Sequence, residues 1–365
     1  MAPYIISVVL ITVLPFLAKN KTESNRKRAK KIICLVSFAI LLFIMGFRNE
    51  SLGMEDTEFV YHPWFNTVSS LGVKQLFETL KGKNGVLIYF LMKIFQVFSK
   101  DYNAWIFFSS IPFLASYIIY VYKRCEKSYE CMFSIIFMVY IRIYTAGFYL
   151  QRHFIAMAFF IIAYDALLDK KYRKYIVFSL LAFFTHPTAL VAFLLYPLSK
   201  FKLSGKQSVL LIVAYFSVLY AGKDIFNTLF TVLSNSGLSY YTHYTSRSGF
   251  SSNTLGLVMI LLLIMFYVII KLFKINDNYV TMSFNVFAAA TIFTMSASFV
   301  EEMYRIGYFF TVCSIPGYAR SIGLISKKNN RWVCYVALYV LLCVYYWPLF
   351  SEPKANLYPY ISMFH

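Results

Sequence analysis

Leu255-Gly-Leu-Val-Met-Ile-Leu-Leu-Leu-Ile-Met-Phe-Tyr-Val-Ile-Ile270 carries no charge, and its one polar side-chain group is a tyrosine hydroxyl. Lys271 and Lys274 follow it at once. A bilayer hydrocarbon core is crossed by a helix of about 20 apolar residues, which bonds all its backbone groups internally. The stretch therefore predicts a membrane span with a basic end. Ile32 to Phe47 repeats the pattern, with the basic cluster before it. Over the 365 residues, 59% are hydrophobic and 14% charged, too little charge to clothe a water-soluble protein of this length. The expected fold class is an all-α polytopic integral membrane helix bundle.

The formal net charge is +19, from 35 Lys and Arg against 16 Asp and Glu. Most of the basic residues fall in six short loops: Lys19–Lys31, Lys123–Glu130, Asp169–Lys174, Lys200–Lys206, Lys271–Lys274 and Arg320–Arg331. Such clustering between apolar runs marks cytoplasmic loops and leaves no call for a nucleic-acid partner. With all six inside, the N-terminus lies outside, as do 48–101, 222–253, 300–305 and the tail after Trp347. About 10–12 membrane segments are expected, near 3–18, 32–47, 103–122, 130–148, 151–168, 175–197, 207–221, 254–272, 280–299, 304–324 and 332–347, within one transmembrane domain, 1–365. Pro3–Ala18 lacks a basic leader and reads as a retained first helix. Gly85–Ser99 must begin and end outside, so it predicts an interfacial amphipathic helix within the external loop. Tyr175–Pro197 must begin and end inside. The His186-Pro187 pair breaks it, predicting two half-helices that meet at His186. The six cysteines show no CxxC spacing, so neither a disulfide framework nor a metal site is expected.

Ionisable groups at membrane depth are costly and become the first candidates for chemistry. Arg142 lies within a span, in Tyr140-Ile-Arg-Ile-Tyr144. Arg48, Arg152 and Arg305 sit at the outer boundary. Guanidinium grips phosphate oxygens as a fork, so several arginines at one level point to an anion. The bland alternatives are interfacial snorkelling and ion pairs with Glu301 or Glu302. Glu50, Glu55, Asp56, Glu58, Glu78 and Asp101 all fall in the first external loop. No carboxylate lies near a helix midpoint, which argues against proton-coupled transport. His186, in an apolar stretch, suits acid–base work, phosphate contact or a structural bond at the helix break. His153 adjoins Arg152, whereas His62 reads as a loop residue. External aromatics such as Tyr61, Trp64 and Phe65 are candidates for stacking on sugar rings.

Four motifs in order resemble the EpsG family of Wzy-type polysaccharide polymerases. They are Arg48…Gly53-Met-Glu-Asp-Thr57…Tyr61…Phe65, Leu150-Gln-Arg-His-Phe-Ile-Ala156, Ala182-Phe-Phe-Thr-His-Pro-Thr-Ala-Leu190 and Tyr304-Arg-Ile-Gly-Tyr-Phe309. The first has one residue more than the family's pattern, so Glu55 or Asp56 can hold its acidic position. His153 stands where the family often has a small or aliphatic residue. The resemblance implies a GT-C-like enzyme in a bacterial plasma (inner) membrane. It would join undecaprenyl-pyrophosphate-linked oligosaccharide units, as donor and acceptor, at the non-cytoplasmic face, using neither cofactor nor metal. A chain-length regulator is an implied protein partner. Arg142, Arg152 and Arg305 would neutralise the pyrophosphate, and Asp56 or Glu55 would take the acceptor proton. His186 would touch phosphate or a sugar hydroxyl, and Arg48 would anchor the acidic loop. His153, Tyr61 and Glu302 would complete the glycan contacts.

Three rivals remain open at this level. A membrane O-acyltransferase also uses an intramembrane histidine, but with a cytoplasmic donor site. A lipid-linked oligosaccharide flippase or exporter needs a cationic cavity open alternately to both faces. An O-antigen-type ligase differs from a polymerase in its acceptor alone.

Overall fold

The computed structural model describes residues 23–52, 56–81, 83, 85–201, 213, 217, 224, 228, 254–298, 303–348 and 360–364. These are helical almost throughout and form no strand; one isolated bridge joins Arg48 to Ser362. The all-α class expected from the apolar runs is what the fold displays. The expected spans at 3–18 and 207–221 lie outside the described residues, apart from 213 and 217 in the second. The external segment 222–253 does too, apart from 224 and 228.

The chain divides into two compact units, Met1–Phe193 with Asn329–His365, and Leu194–Lys328. Among the described residues, five helices are long and apolar enough to cross a bilayer: Glu23–Gly46 (α1), Tyr102–Arg124 (α5), Gln151–Leu168 (α8), Thr254–Leu272 (α11) and Asn278–Ser296 (α12). The second unit shows the logic of a lipid solvent. The most apolar of the five, α11, has only 39% of its central window buried, against 78% for the much less apolar α12. Leu257, Leu261, Ile264, Val268 and Leu272 run as an exposed stripe down α11, with the spacing of one helix face. In α12, Ser283, Asn285, Thr291 and Thr294 are buried instead. A water-soluble core would reverse this order; a bilayer permits it, since apolar side chains are as well solvated by lipid as by protein. Met303–Gly323 (α13) packs on α12 through glycines. A Cβ at Gly307 would fall 2.3 Å from Thr294 Oγ1, and one at Gly317 2.0 Å from Ser283 Oγ. Asp277 caps α12 through Val280 N at 3.0 Å and accepts from Arg320 Nη2 at 2.8 Å.

In the first unit α5 and α8 run parallel. Their starts are joined by Trp105 Nε1 donating to Gln151 Oε1 at 3.2 Å, and Gln151 Nε2 donating to the Tyr102 hydroxyl at 3.1 Å. Their far ends are joined by ion pairs. Lys123 Nζ lies 2.7 Å from Asp165 and 2.6 Å from Asp169, and Arg124 reaches the same two carboxylates at 2.6 and 2.7 Å. Burial alone would raise the Asp169 carboxyl, but hydrogen bonds from Lys123 and Arg124 hold it well below the usual carboxylate range. Between α5 and α8 the chain returns through Ser128–Tyr140 (α6) and Ile143–Ala146 (α7). The single helix expected over 130–148 is interrupted at Arg142, which takes the left-handed conformation with φ 67°. Lys328–Tyr346 (α14) completes this unit.

The segment 48–101, expected as an external loop, is more structured than its sequence suggests. A π-helical turn, Asp56–Tyr61, runs directly into His62–Ser70 (α2), followed by Val73–Leu80 (α3) and Leu87–Phe95 (α4). At 1.5 Å per residue, the nine residues of α4 reach about 14 Å, far short of a span. Its Ile88, Met92 and Phe95 are buried against Phe65 and Val68 of α2 and Trp105 of α5 in one apolar cluster. Lys93, a charge within this run, donates to Val68 O at 3.0 Å at the end of α2, where carbonyls lack intrahelical partners. Tyr172–Thr185 (α9) ends at His186, whose backbone is extended, and the chain continues as a 3-10 helix over Pro187–Leu194 and a short turn, Leu195–Leu198 (α10). The break falls at the residue before proline, where sterics disfavour the helical conformation.

Candidate functional site

A buried hydrogen-bond chain fixes the acidic turn to the start of α8. Arg48, fully buried, donates Nη2 to Phe148 O at 2.8 Å and Nη1 to Met45 O. Thr57 Oγ1 donates to the same Phe148 carbonyl at 2.9 Å. Thr57 O in turn accepts from the Tyr102 hydroxyl at 2.9 Å, and Tyr102 accepts from Gln151. Two donors on one carbonyl, with an aromatic hydroxyl behind them, leave the π-helical turn little freedom. The C-terminal segment reinforces it, since Asn49 N donates to Ile361 O and Met363 N to Phe47 O, both at 2.9 Å.

That turn ends on Tyr61, whose hydroxyl lies against the backbone of Arg152 and within electrostatic reach of both the Arg152 guanidinium and Asp56. Burial pushes the Tyr61 hydroxyl up, and Arg152 opposes it. Arg152 occupies the first turn of α8, where exposed backbone N–H groups already present partial positive charge. A guanidinium there is poorly placed for helix stability and well placed for an anion. Its Nε is buried and has no hydrogen-bond partner among the described residues. The guanidinium lies close to Gly85, in the 48–101 segment. A Cβ built on Gly85 would lie 3.4 Å from Arg152 Nη1, 3.3 Å from Pro187 Cδ and 2.8 Å from Thr185 O. The loop, the first turn of α8 and the break after α9 thus meet at one point.

His186 joins from the break. Its Nδ1 shares a 2.6 Å hydrogen bond with Thr188 Oγ1, and its ring stands edge-on to His153, centroids 5.1 Å apart. Asp56, Tyr61, Arg152, His153 and His186, five residues singled out from sequence, therefore gather around one locality. The site joins a cation and an acidic turn to an imidazole pair, and the groups come from three elements far apart in sequence.

Arg142 and Arg305 have other surroundings. Arg142 Nη2 donates to Tyr345 O at 2.9 Å and its guanidinium lies 4.4 Å over the Tyr345 ring. It meets the C-terminal end of α14, where unsatisfied carbonyls favour a cation. Arg305 begins α13 in the second unit, its Nε donating to the Tyr304 hydroxyl at 3.3 Å. Glu55 and Glu302 lie outside the described residues.

Several participants were not singled out from sequence. Gly85, before α4, and Thr188, in the 3-10 helix after His186, are small residues with no charge to draw attention. Thr57, Tyr102 and Gln151 look like ordinary helix-end residues until their bonds are seen. His62, read as a loop residue, pairs Nδ1 with Glu50 Oε2 at 2.6 Å and stacks on Tyr102, ring centroids 4.4 Å apart. The usable signals were the clustering of acids and aromatics in 48–101 and the motifs that contain Thr57, Gln151 and Thr188.

The profile of the EpsG family matches residues 31–362, nearly the whole chain; the family comprises Wzy-type polymerase-like proteins. Comparison with curated proteins and with solved structures gave no match.

Proposed function

The chain belongs to the EpsG family, a family of membrane polymerases of polysaccharide biosynthesis, and we propose that it polymerises diphosphate-linked oligosaccharide units at the non-cytoplasmic face. The donor would be a glycan on undecaprenyl pyrophosphate, and the acceptor the terminal sugar hydroxyl of a second lipid-linked unit. The acceptor oxygen attacks the anomeric carbon, forming the new glycosidic bond. The bond from that carbon to the diphosphate breaks, and the lipid diphosphate leaves with the electron pair. The acceptor proton passes to a carboxylate.

One observation carries this reading: Arg152 stands in the first turn of α8 with its Nε unanswered, beside the acidic turn and His186. In these roles Arg152 takes the diphosphate, and its fixed charge stabilises the negative charge that grows on the leaving group. Asp56, or Glu55 next to it, receives the proton. His186 and His153 hydrogen-bond phosphate or sugar hydroxyls, with Thr188 setting the orientation of His186. Tyr61 steadies Arg152, and Arg48 serves the acidic turn as an anchor. Arg142 is proposed to hold the end of α14. Arg305 is proposed to bind phosphate and Glu302 glycan, each to be tested by its own alanine variant.

The test is incubation of the purified protein with lipid-linked repeat units and separation of the products on a gel. A ladder of polymer is expected. Input units returned unchanged would remove the proposal, and polymer transferred to a different acceptor would redirect it to a ligase.

A further inference from the structure

We propose that Gly85 is a positioning residue for Arg152: its bare Cα lets the external loop close on the break after α9 and complete the seat in which the guanidinium is held. The inference rests on the reading of Arg152 as the diphosphate-binding cation. Gly85 is buried with φ +68°, in the left-handed region that glycine enters without strain and most L residues do not. A Cβ there would meet the Arg152 Nη1 at ordinary contact distance but would drive into the Thr185 carbonyl at 2.8 Å and crowd Pro187 Cδ at 3.3 Å. Thr185 O is backbone, on the rim of a proline-terminated helix, and cannot swing aside as a side chain would.

An added methyl group must therefore lift the loop from the break. The lift opens the seat on the side where Gly85 now supports the guanidinium. The turn that ends on Tyr61 and the first turn of α8 are pinned by Thr57, Tyr102 and Gln151 and cannot follow it. A seat opened on one side leaves an arginine with several rotamers, and the gain from a preorganised charge is lost first. Gly72, in the same loop, supplies the internal control. Its backbone is extended at φ −67°, and a Cβ there would meet only Gln75 Oε1, at 3.5 Å.

The experiment is direct binding of inorganic pyrophosphate to the full-length protein in nanodiscs. Wild type is compared with G85A, G85N, G72A and R152A, with melting temperatures read on the same samples. Asparagine tolerates the left-handed region but keeps the Cβ, so G85N separates crowding from backbone strain. Wild type and G72A are expected to bind alike, R152A to lose binding, and both Gly85 variants to bind on the order of tenfold more weakly while still folded. Binding by G85A or G85N equal to that of G72A overturns the proposal. So does recovery in G85N alone, failure of both Gly85 variants to fold while G72A folds, or absence of binding by wild type. A polymerisation assay on the same samples keeps the two ideas apart. Wild type that binds pyrophosphate in this pattern yet makes no polymer sinks the enzymatic reading and not the seat.

Discussion

The two ends of the α5–α8 pair are built from the same charged groups and handle them in opposite ways. At the far end Lys123 and Arg124 face Asp165 and Asp169 at 2.6 to 2.7 Å, two cations on two carboxylates. At the near end Arg152 has no carboxylate in ion-pair contact among the described residues, and one of its nitrogens is buried without an acceptor. The helices run parallel, so the contrast comes from local sequence and not from topology. A cation already matched by carboxylates is a clamp. A cation set beside a glycine and a tyrosine, with no carboxylate against it among the described residues, is the one the proposed function keeps for a diphosphate. Arg142 differs from Arg152 in that one guanidinium nitrogen donates to Tyr345 O and the group lies over the Tyr345 ring.

This division orders the expected effects. Replacing Arg152 with alanine should lower polymer formation at least a hundredfold, the scale of losing one charge-stabilising group at a reacting centre, while the melting temperature hardly moves. Replacing Arg124 with alanine should do the reverse. Two partly buried carboxylates lose a shared partner, so stability should fall by about 2 kcal/mol, read by thermal melting, with activity per folded molecule retained. The clamp should also respond to acid in a set direction. Because the folded Asp169 carboxyl is held below its unfolded value, its contribution is full above about pH 4 and is lost as pH falls toward the folded value. Between pH 7 and 5 this group should leave stability unchanged, and D169N should lack its contribution already at pH 7. The smallest effect is expected at Thr188. T188V should lower activity about tenfold, the usual scale for a residue that orients another, with the melting temperature and substrate KM as the companion readouts. T188S should restore activity.

Much of the architecture was readable because bilayer length and helix rise leave few options. Leu255–Ile270 and Ile32–Phe47 announced spans, and His186-Pro187 announced a break that falls where proline sterics place it. The break at Arg142 was not legible. An arginine in the left-handed conformation is decided by its tertiary partner, here the end of α14 some 200 residues away in sequence, and no local pattern encodes that. In 48–101 the sequence predicts one amphipathic helix near Gly85–Ser99 and not three helices and a π-helical turn, because short helices draw their stability from packing and not from propensity. For the site, charge and imidazole made Asp56, Arg152, His153 and His186 visible. Gly85, Thr188 and Gln151 contribute through absence of bulk or through uncharged hydrogen bonds, and those properties exist only once the chain has folded.

Polymer yield and melting temperature, measured together on R152A and R124A in one reconstituted membrane preparation, test the contrast most directly. A crossover is expected: R152A stays folded and leaves lipid-linked units unjoined, while R124A melts early and still joins them when folded. Normal polymer from R152A, or loss of both properties in both variants, would contradict the account.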